Sequence, residues 1–454
     1  MSRKTDYAEG KLFPLILRFS IPASISLLIS AIYNIVDRIF IGNFSGNTAL
    51  AALSICFPLS FMMIAFGLMC SAGGSTVFTL YRGRREDRTA DRVFGNAFIL
   101  TIFFEILLTA VLLLFPDFFL KLFGVTDTTY EPALEYYRIV ALGCLFQGLS
   151  LLFCDFVRVS GKPVLGMCVT GAGAVTNIAL DALFVAGLSW GVQGAAAATV
   201  IGQIVSAGFG AWMLFGGRTS VKIRKDTFRP DRSLGKELTS CGFAFWIAQM
   251  AMGFIALVYN GQLGKYGGDV AISAYAIVSS VMTFIIMPAS GISQGIQPIL
   301  GFNYGAENFE RVKQTFVKAT MLSVGVTAVI WAAAEIFPAA LISLFGGGPD
   351  LMSIGIPALR FNFVIAPVLG FVMLATTFFQ SIGKPNASSL ITLIRQVIAL
   401  VPFIYILPGI FGTIGIFYAQ PVSDLIATVL SAVLIVKSFR EMRPTGFQAE
   451  KCKA

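Results

Sequence analysis

Twelve long apolar stretches, parted by short polar or turn-forming segments, leave this chain very little freedom of fold. They run from 12 to 42, 50 to 80, 93 to 115, 132 to 158, 164 to 186, 193 to 215, 238 to 260, 271 to 302, 315 to 338, 353 to 382, 386 to 407 and 413 to 437. Each is long enough to cross a hydrocarbon layer that takes about 20 helical residues. No water satisfies the backbone there, and stretches of this length close their hydrogen bonds internally only as helices. Hydrophobic residues are 56% of the 454 and charged residues 13%, well above the ~45–50% apolar share of soluble domains. The expected fold is therefore an all-α integral membrane protein with twelve transmembrane helices. Met1 to Lys11 is charged and leads into a long apolar segment with no small-residue cleavage site, which predicts a retained first helix.

The formal net charge of +9 is explained by topology. Alternate connections carry Arg82, Arg84, Arg85, Arg88 and Arg92; Lys162; Arg218, Lys222, Arg224, Lys225, Arg229, Arg232 and Lys236; Arg311 and Lys313; and Lys384. The opposite set contributes only Lys121 and Lys265. The positive-inside rule puts the first set and both termini in the cytoplasm, as expected of a multi-pass protein of the cell inner (plasma) membrane. Spread over many short loops, these charges do not form a nucleic-acid patch. There is no histidine, which excludes HExxH zinc sites, Ser-His-Asp triads and histidine relays, so proton chemistry falls to carboxylates. Six of the seven cysteines sit in or at the ends of apolar spans without metal-type spacing, and read as packing residues.

The two halves repeat. A shift of 222 positions (122 to 344) aligns Leu122-Phe123-Gly124 with Leu344-Phe345-Gly346, Gly161-Lys162-Pro163 with Gly383-Lys384-Pro385, and Phe115-Pro116 with Phe337-Pro338. Gly42/Gly264, Gly73/Gly295 and Ala97/Ala319 obey the same shift; near the ends it slips by one, pairing Gly194 with Gly415. Six helices return the chain to its starting side, so the repeats are parallel and give two pseudo-symmetric six-helix bundles, as in transporters that rock about a central site. The expected domains are an N-terminal lobe (1–215), a cytoplasmic linker (216–235), a C-terminal lobe (236–440) and a cytoplasmic tail (441–454).

Charges at membrane depth are costly and usually face an interior cavity. Asp181 is the sole charged residue between Val164 and Val185, and Asn177 lies one turn earlier on the same face. At ~1.5 Å per residue, Asp181 lies about 26 Å along its helix, in the outer leaflet, at the height of Asp37 on the first helix and Thr199 on the sixth. Two carboxylates, an amide oxygen and a hydroxyl at one depth suit a hard cation or a proton. Arg38 is a poor partner for Asp37, because neighbours on a helix diverge by about 100°. The repeat separates function from packing: the positions matching Asp37, Asn177 and Asp181 hold Tyr259, Ala399 and Phe403.

Of the other buried charges, Asp155 reads as a local pair with Arg158, and Arg395 with Asp424 as an ion pair of either kind, structural or functional. Glu105 has no nameable partner and is a secondary substrate or proton contact candidate. Pro22 favours a kink in the helix that carries Asp37. Met62, Met63, Met69, Gln249, Met252, Met282 and Met287 would suit an adaptable substrate cleft for varied flat ligands, and equally an ordinary core.

Two six-helix halves, the Ser20-Ile21-Pro22 entry, Asp37, the paired Gly-Lys-Pro turns, and Asn177 with Asp181 together resemble the multidrug and toxic compound extrusion (MATE) family over essentially the whole chain. The likeness is to its prokaryotic branch with membrane acids in the first half. It implies a secondary antiporter that exports amphiphilic, often cationic, organic compounds, with Asp37, Asn177, Asp181 and Thr199 as the coupling site for H⁺ or Na⁺ and bending of the first helix at Pro22. It implies no cofactor beyond the coupling ion, no metal other than Na⁺ at that site, small organic substrates and the lipid bilayer as partners, and a monomer. A lipid-linked sugar flippase of the same fold would call for a basic central cavity, and an integral-membrane enzyme for a clustered polar site. The missing Gly-x-x-x-x-Gly-Lys-Ser/Thr motif argues against direct ATP drive.

Overall fold

A computed structural model describes residues 7–343 and 349–442. The Leu344-Phe345-Gly346 copy of the repeated tripeptide and nearly all of the expected tail lie outside the described residues. Among them, ten helices are long and apolar enough to span a membrane: α1 (Leu12–Gly46), α2 (Thr48–Gly83), α3 (Asp87–Leu114), α5 (Pro163–Gly187), α6 (Gly191–Phe215), α7 (Arg232–Ile255), α8 (Ile277–Gly305), α9 (Phe309–Ile336), α11 (Pro385–Phe411) and α12 (Thr413–Glu441). Two bent pairs complete the twelve: α4 (Tyr130–Leu142 with Cys144–Val159) and α10 (Gly355–Phe363 with Ala366–Ser381), each bent by 47°. The sequence predicts both as unbroken spans; the apolar run continues across each bend, so composition does not mark it. Gly46, at φ 83°, ψ 176°, separates α1 from α2, a conformation that a residue without Cβ adopts without strain.

The repeat holds at the level of elements. α3 begins and ends at the counterparts of α9, and the short helix Pro116–Leu122 begins at the counterpart of Pro338–Ser343. Left-handed backbone recurs at Arg85 and Glu307 and at Gly161 and Gly383, so the matching turns are built alike.

The chain forms two compact units, and they exchange helix starts. Of the described residues, unit 1 takes 21–250, and unit 2 takes 7–20, 251–343 and 349–442. The start of α7 thus packs into unit 1 and the start of α1 into unit 2. In each case small residues let backbones approach closely, the usual solution where the lipid offers no hydrophobic drive. A Cβ on Gly242 would lie 1.8 Å from the Met69 carbonyl oxygen, and one on Gly73 2.5 Å from that of Leu238, both within unit 1. In unit 2 the counterpart of Gly73, Gly295, meets Ser20, the counterpart of Gly242: its Cβ would lie 2.6 Å from the Ser20 Cα.

Each unit holds two apolar clusters. In unit 1 one gathers Val77, Phe94, Ala97, Leu152 and Phe156, the other Met63, Leu108, Leu112, Tyr137 and Cys144. Unit 2 repeats the pattern around Phe19, Phe316 and Phe378, and around Tyr259, Phe363 and Phe417.

The polar connection before α7 is strapped to the start of α3. Thr227 lies so close to Gly95 that a Cβ there would fall 1.9 Å from its carbonyl oxygen. Asn96 donates to the Arg229 carbonyl (3.3 Å) and accepts from the Asp231 amide (2.8 Å). Arg88 pairs with Asp226 at 2.8 Å, Arg92 with Asp231 at 2.9 Å, and Arg82 with Asp91 at 2.9 Å while donating to the Ser220 carbonyl. The hydrogen bond from Arg88 holds the Asp226 carboxyl below the usual carboxylate range, and the Leu234 and Ser233 amides, then Arg92, do the same for Asp231. Unit 2 holds the residues before α1 similarly: Asn303 and Arg311 donate to the Tyr7 carbonyl at 3.1 and 2.8 Å.

Two outcomes are expected. Gly242→Ala gains helix propensity of about 1 kcal/mol yet loses about 1–3 kcal/mol net to overpacking, whereas Gly171→Ala, with open space around it, keeps that gain and is stabilising by up to about 1 kcal/mol; thermal unfolding of the two variants measures the difference. The second concerns the strap. Because both carboxyls titrate below their ordinary values, its ionic contribution is fully present above about pH 4 and is lost as the pH falls further. A spin label on Lys225→Cys should be immobilised at neutral pH and become mobile in acid, and Arg88→Ala with Arg92→Ala should mobilise it already at neutral pH.

Candidate functional site

Local backbone geometry sets the position of the acid on α5. Asp181 is the last residue of its α-helical part, and Ala182–Gly187 continue as a π-turn, closed by the Leu188 amide donating to the Leu183 carbonyl at 2.8 Å. Such wide turns recur at functional sites because they re-aim neighbouring side chains. One turn earlier, Asn177 faces α6 across a glycine contact. A Cβ on Gly202 would lie 2.8 Å from the Gly173 carbonyl and 3.2 Å from the Asn177 Cβ. That approach brings Thr199, one turn along α6, within reach, and Asn177 Nδ2 donates to its hydroxyl at 3.4 Å.

Asp37 on α1, Asn177 and Asp181 are all buried, and Thr199 is half-buried. Asp37 and Asp181 lie within each other's electrostatic reach, and Tyr136, on the first segment of α4, is close enough to sense both. Of the four residues expected from sequence, all in unit 1, Asn177 touches Thr199 and Asp37 senses Asp181 electrostatically. Asp37 also lines a small cavity with Asn34, Arg38, Cys56, Ser60 and Tyr136. Arg38 places its guanidinium 4.8 Å over the Phe57 ring, and acts on Asp37 electrostatically. Within this set, four buried oxygens have no hydrogen-bond partner among the described residues: Asp37 Oδ1, Asn177 Oδ1 and both of Asp181. Buried polar atoms are almost always paired, so an unpaired set of acceptors calls for an explanation such as an ion or proton. Two carboxylates with an amide oxygen and a hydroxyl form an all-oxygen set that suits a small hard cation or a proton.

Tyr136 is the residue that sequence reasoning misses. A tyrosine near the end of an apolar span reads as an interfacial anchor, and only the fold shows that it is buried against the acids. In unit 2 the counterpart of Asp37, Tyr259, is buried and stacks on Tyr275 with ring centroids 4.6 Å apart.

Two further pairs of charges are closed locally. Asp155 and Arg158 form a buried local pair at 2.5 Å. Arg395 donates to Asp424 at 2.6 Å, and Gln420 donates to the same oxygen at 3.0 Å. α1 keeps its helical geometry through Pro22, where the Ser26 hydroxyl donates to the Pro22 carbonyl at 2.9 Å. Of the methionines named for a cleft, Met63 is part of a core cluster, Met69 is buried and Met252 is exposed. Met62, Met63, Met69 and Gln249 belong to unit 1, and Met252, Met282 and Met287 to unit 2.

Comparison with known proteins finds relatives over nearly the whole chain. The family model for MatE matches twice, at residues 22–183 and 245–406, one copy in each half. The multidrug export protein MepA of Staphylococcus haemolyticus (strain JCSC1435) is 24% identical over 435 residues, covering 96% of this chain and 95% of its own. Two solved structures, both 24% identical, share the fold: a MATE in the bent conformation (TM-score 0.91; 97% and 98% of the two chains) and an outward-facing multidrug resistance MATE family transporter of the MOP superfamily (TM-score 0.93; 98% and 100%).

Unpaired buried acceptors cost stability. Asp181→Asn, which supplies a donor and removes the charge, is expected to raise stability at neutral pH by about 1–2 kcal/mol, the usual trade at a functional site, while Asn177→Ala, which leaves Thr199 without its donor, should not. Thermal unfolding at neutral pH distinguishes the two.

Proposed function

Because the chain belongs to the MatE family, we propose that it is a secondary antiporter of the cell membrane that expels amphiphilic, often cationic, organic compounds in exchange for inward H⁺ or Na⁺. It is a multi-pass transporter of a multidrug efflux family, and not an enzyme. The antiport mechanism, its coupling ion and the direction of the termini are our reading. The observation that carries it is the unpaired oxygen set of Asp37, Asn177 and Asp181 in one unit. Its absence from the matching positions of the other unit argues that the fold does not require it.

In this mechanism a cation enters the site from outside and neutralises the Asp37 and Asp181 pair, with Asn177 and Thr199 supplying neutral oxygens. The neutralised site favours a reshaped α1, with Pro22 as the point where the missing backbone hydrogen bond makes bending cheap. Pro22 is well placed for that, since the border between the two units falls between Ser20 and Ile21. Reshaping disfavours the loaded outward state, releases cargo and permits return. The concentration of Lys and Arg in alternate loops supports cytoplasmic termini. We take a monomer as the working unit.

Purified protein in liposomes, given an imposed pH or Na⁺ gradient alone, should move an organic cation under one of the two. Asp37→Asn and Asp181→Asn should each reduce gradient-driven efflux by about five- to a hundredfold, the range of a lost coupling, at unchanged expression. Full gradient-driven efflux by Asp181→Asn would overturn the assignment of the site.

A further inference from the structure

We propose that Glu105 is a second, exchangeable proton site of unit 1, separate from the Asp37 and Asp181 set. Glu105 sits in the middle of α3 with zero exposure, and neither carboxylate oxygen has a hydrogen-bond partner among the described residues. Its place in the fold is specific. On α3 it falls between Ala97, in one apolar cluster of the unit, and Leu108, in the other. Gly67 on α2 lies between Met63 and Val77, and Gly148 on α4 between Cys144 and Leu152, each again between residues of the two clusters. A Cβ on Gly148 would lie 2.5 Å from Glu105 Oε1, and one on Gly67 3.3 Å from it. The carboxyl group therefore fills a seam between two core layers, and two glycines make the room.

The chemistry of the seam selects the ligand. An organic cation needs space and a path of exposed surface, and Glu105 has no exposure. A metal ion needs several oxygen or sulfur donors converging on it, and no group of three His, Cys, Asp or Glu side chains suited to a metal exists among the described residues. The titratable groups that face Glu105 from the packed elements are the thiols of Cys70 on α2 and Cys144 on α4. No Lys, Arg or second carboxylate pairs with it among the described residues. A proton needs one oxygen and no volume. Transfer from a hydronium ion to one carboxylate oxygen gives the neutral acid and a water, and removes a charge that burial without a partner makes costly.

The repeat again separates function from packing. Thr327 is the counterpart of Glu105 on α9, at the same register because α3 and α9 start and end at matching positions. Thr327 is just as buried, and its hydroxyl donates to the Ser323 and Pro367 carbonyls at 2.9 and 3.0 Å. Gly370, the counterpart of Gly148, packs there against Ser323. The position matching Glu105 in unit 2 is thus held by a small neutral side chain whose own hydroxyl is bonded, while the space against Gly370 is taken by the uncharged hydroxyl of Ser323, which has no hydrogen-bond partner among the described residues. Packing does not ask for an acid here.

This proposal does not rest on the coupling role of Asp37 and Asp181, and its test keeps the two apart. The probe is infrared spectroscopy of the full chain in lipid, using an Asp37→Asn, Asp181→Asn double variant in which that set cannot protonate. The expected spectrum at neutral pH contains a carboxylic-acid carbonyl band that shifts in D₂O, vanishes when Glu105→Gln is added, and titrates away reversibly in alkali. Acid–base titration should show one proton fewer bound per protein when Glu105→Gln is introduced. Should the glutamine variant fail to fold, Glu105→Thr, which copies the filling of the matching niche, serves in its place, and in the otherwise natural chain it should remove one acid's share of the band. No such band in the double variant, or a band indifferent to substitution of Glu105, would overturn the proposal. So would a band that persists unchanged in strong alkali, since that proton would not exchange.

Discussion

Close approach of helix backbones is the contact on which the rest of this structure depends. In lipid, apolar side chains gain nothing by leaving the solvent for one another, so helices hold together where small residues let whole backbones touch. Gly242 against Met69, Gly73 against Leu238, Gly295 against Ser20 and Gly202 against Gly173 are contacts of this kind. The first three fix the exchanged starts of α7 and α1 within units 1 and 2. The fourth sets α5 beside α6, and through it Asn177 beside Thr199. The candidate site is thus a consequence of the same packing rule that builds the units.

The repeat shows which features the architecture needs. Gly73 and Gly295, the left-handed Gly161 and Gly383, and the equal bends of α4 and α10 recur in both halves. The buried acids of unit 1 do not. Asp37 becomes Tyr259, Asp181 becomes Phe403 and Glu105 becomes Thr327, while Gly173 becomes Arg395. Arg395 and Asp424 form a pair in unit 2 with an amide as third member. Its charges answer each other, which is what a buried pair must do to survive.

The helices, the repeat and the members of the oxygen set were legible in the sequence, because span length, turn residues and charge at depth are local signals. The strap of residues 220–231 on α3 was not. Arg82, Arg88 and Arg92 read as topology markers, and nothing in their spacing tells that Asp226 and Asp231 lie beside them. The exchange of helix starts escaped for the same reason: Gly242 and Met69 are far apart in sequence, and a glycine in an apolar run looks alike whether it meets a backbone or lipid. The π-turn after Asp181 has no residue-type signature, since five apolar residues close an α-turn as readily until Trp190 and Gly191 redirect the chain. Tyr136 was hidden by its chemistry, as a tyrosine near a membrane surface has an ordinary explanation.

The unpaired acids cluster in one unit, and that asymmetry has an energetic meaning. Among the described residues, the orphaned carboxylate oxygens of Asp37, Glu105 and Asp181 are all in unit 1, whereas Asp424 in unit 2 is bonded twice. An unpaired buried acceptor keeps most of its desolvation cost, and a tightly packed surround prevents it from relaxing toward water. A cation or proton that arrives there recovers that cost, and recovers it only in conformations that hold the oxygens as they stand. Binding energy that differs between conformations is the only kind that can shift them. Unanswered acids in unit 1, set against the closed Arg395–Asp424 pair of unit 2, are what the proposed coupling role requires: a conformational balance that a small cation can tip. The Gly173–Gly202 contact contributes to that balance, because it sets α5, which carries Asn177 and Asp181, against α6.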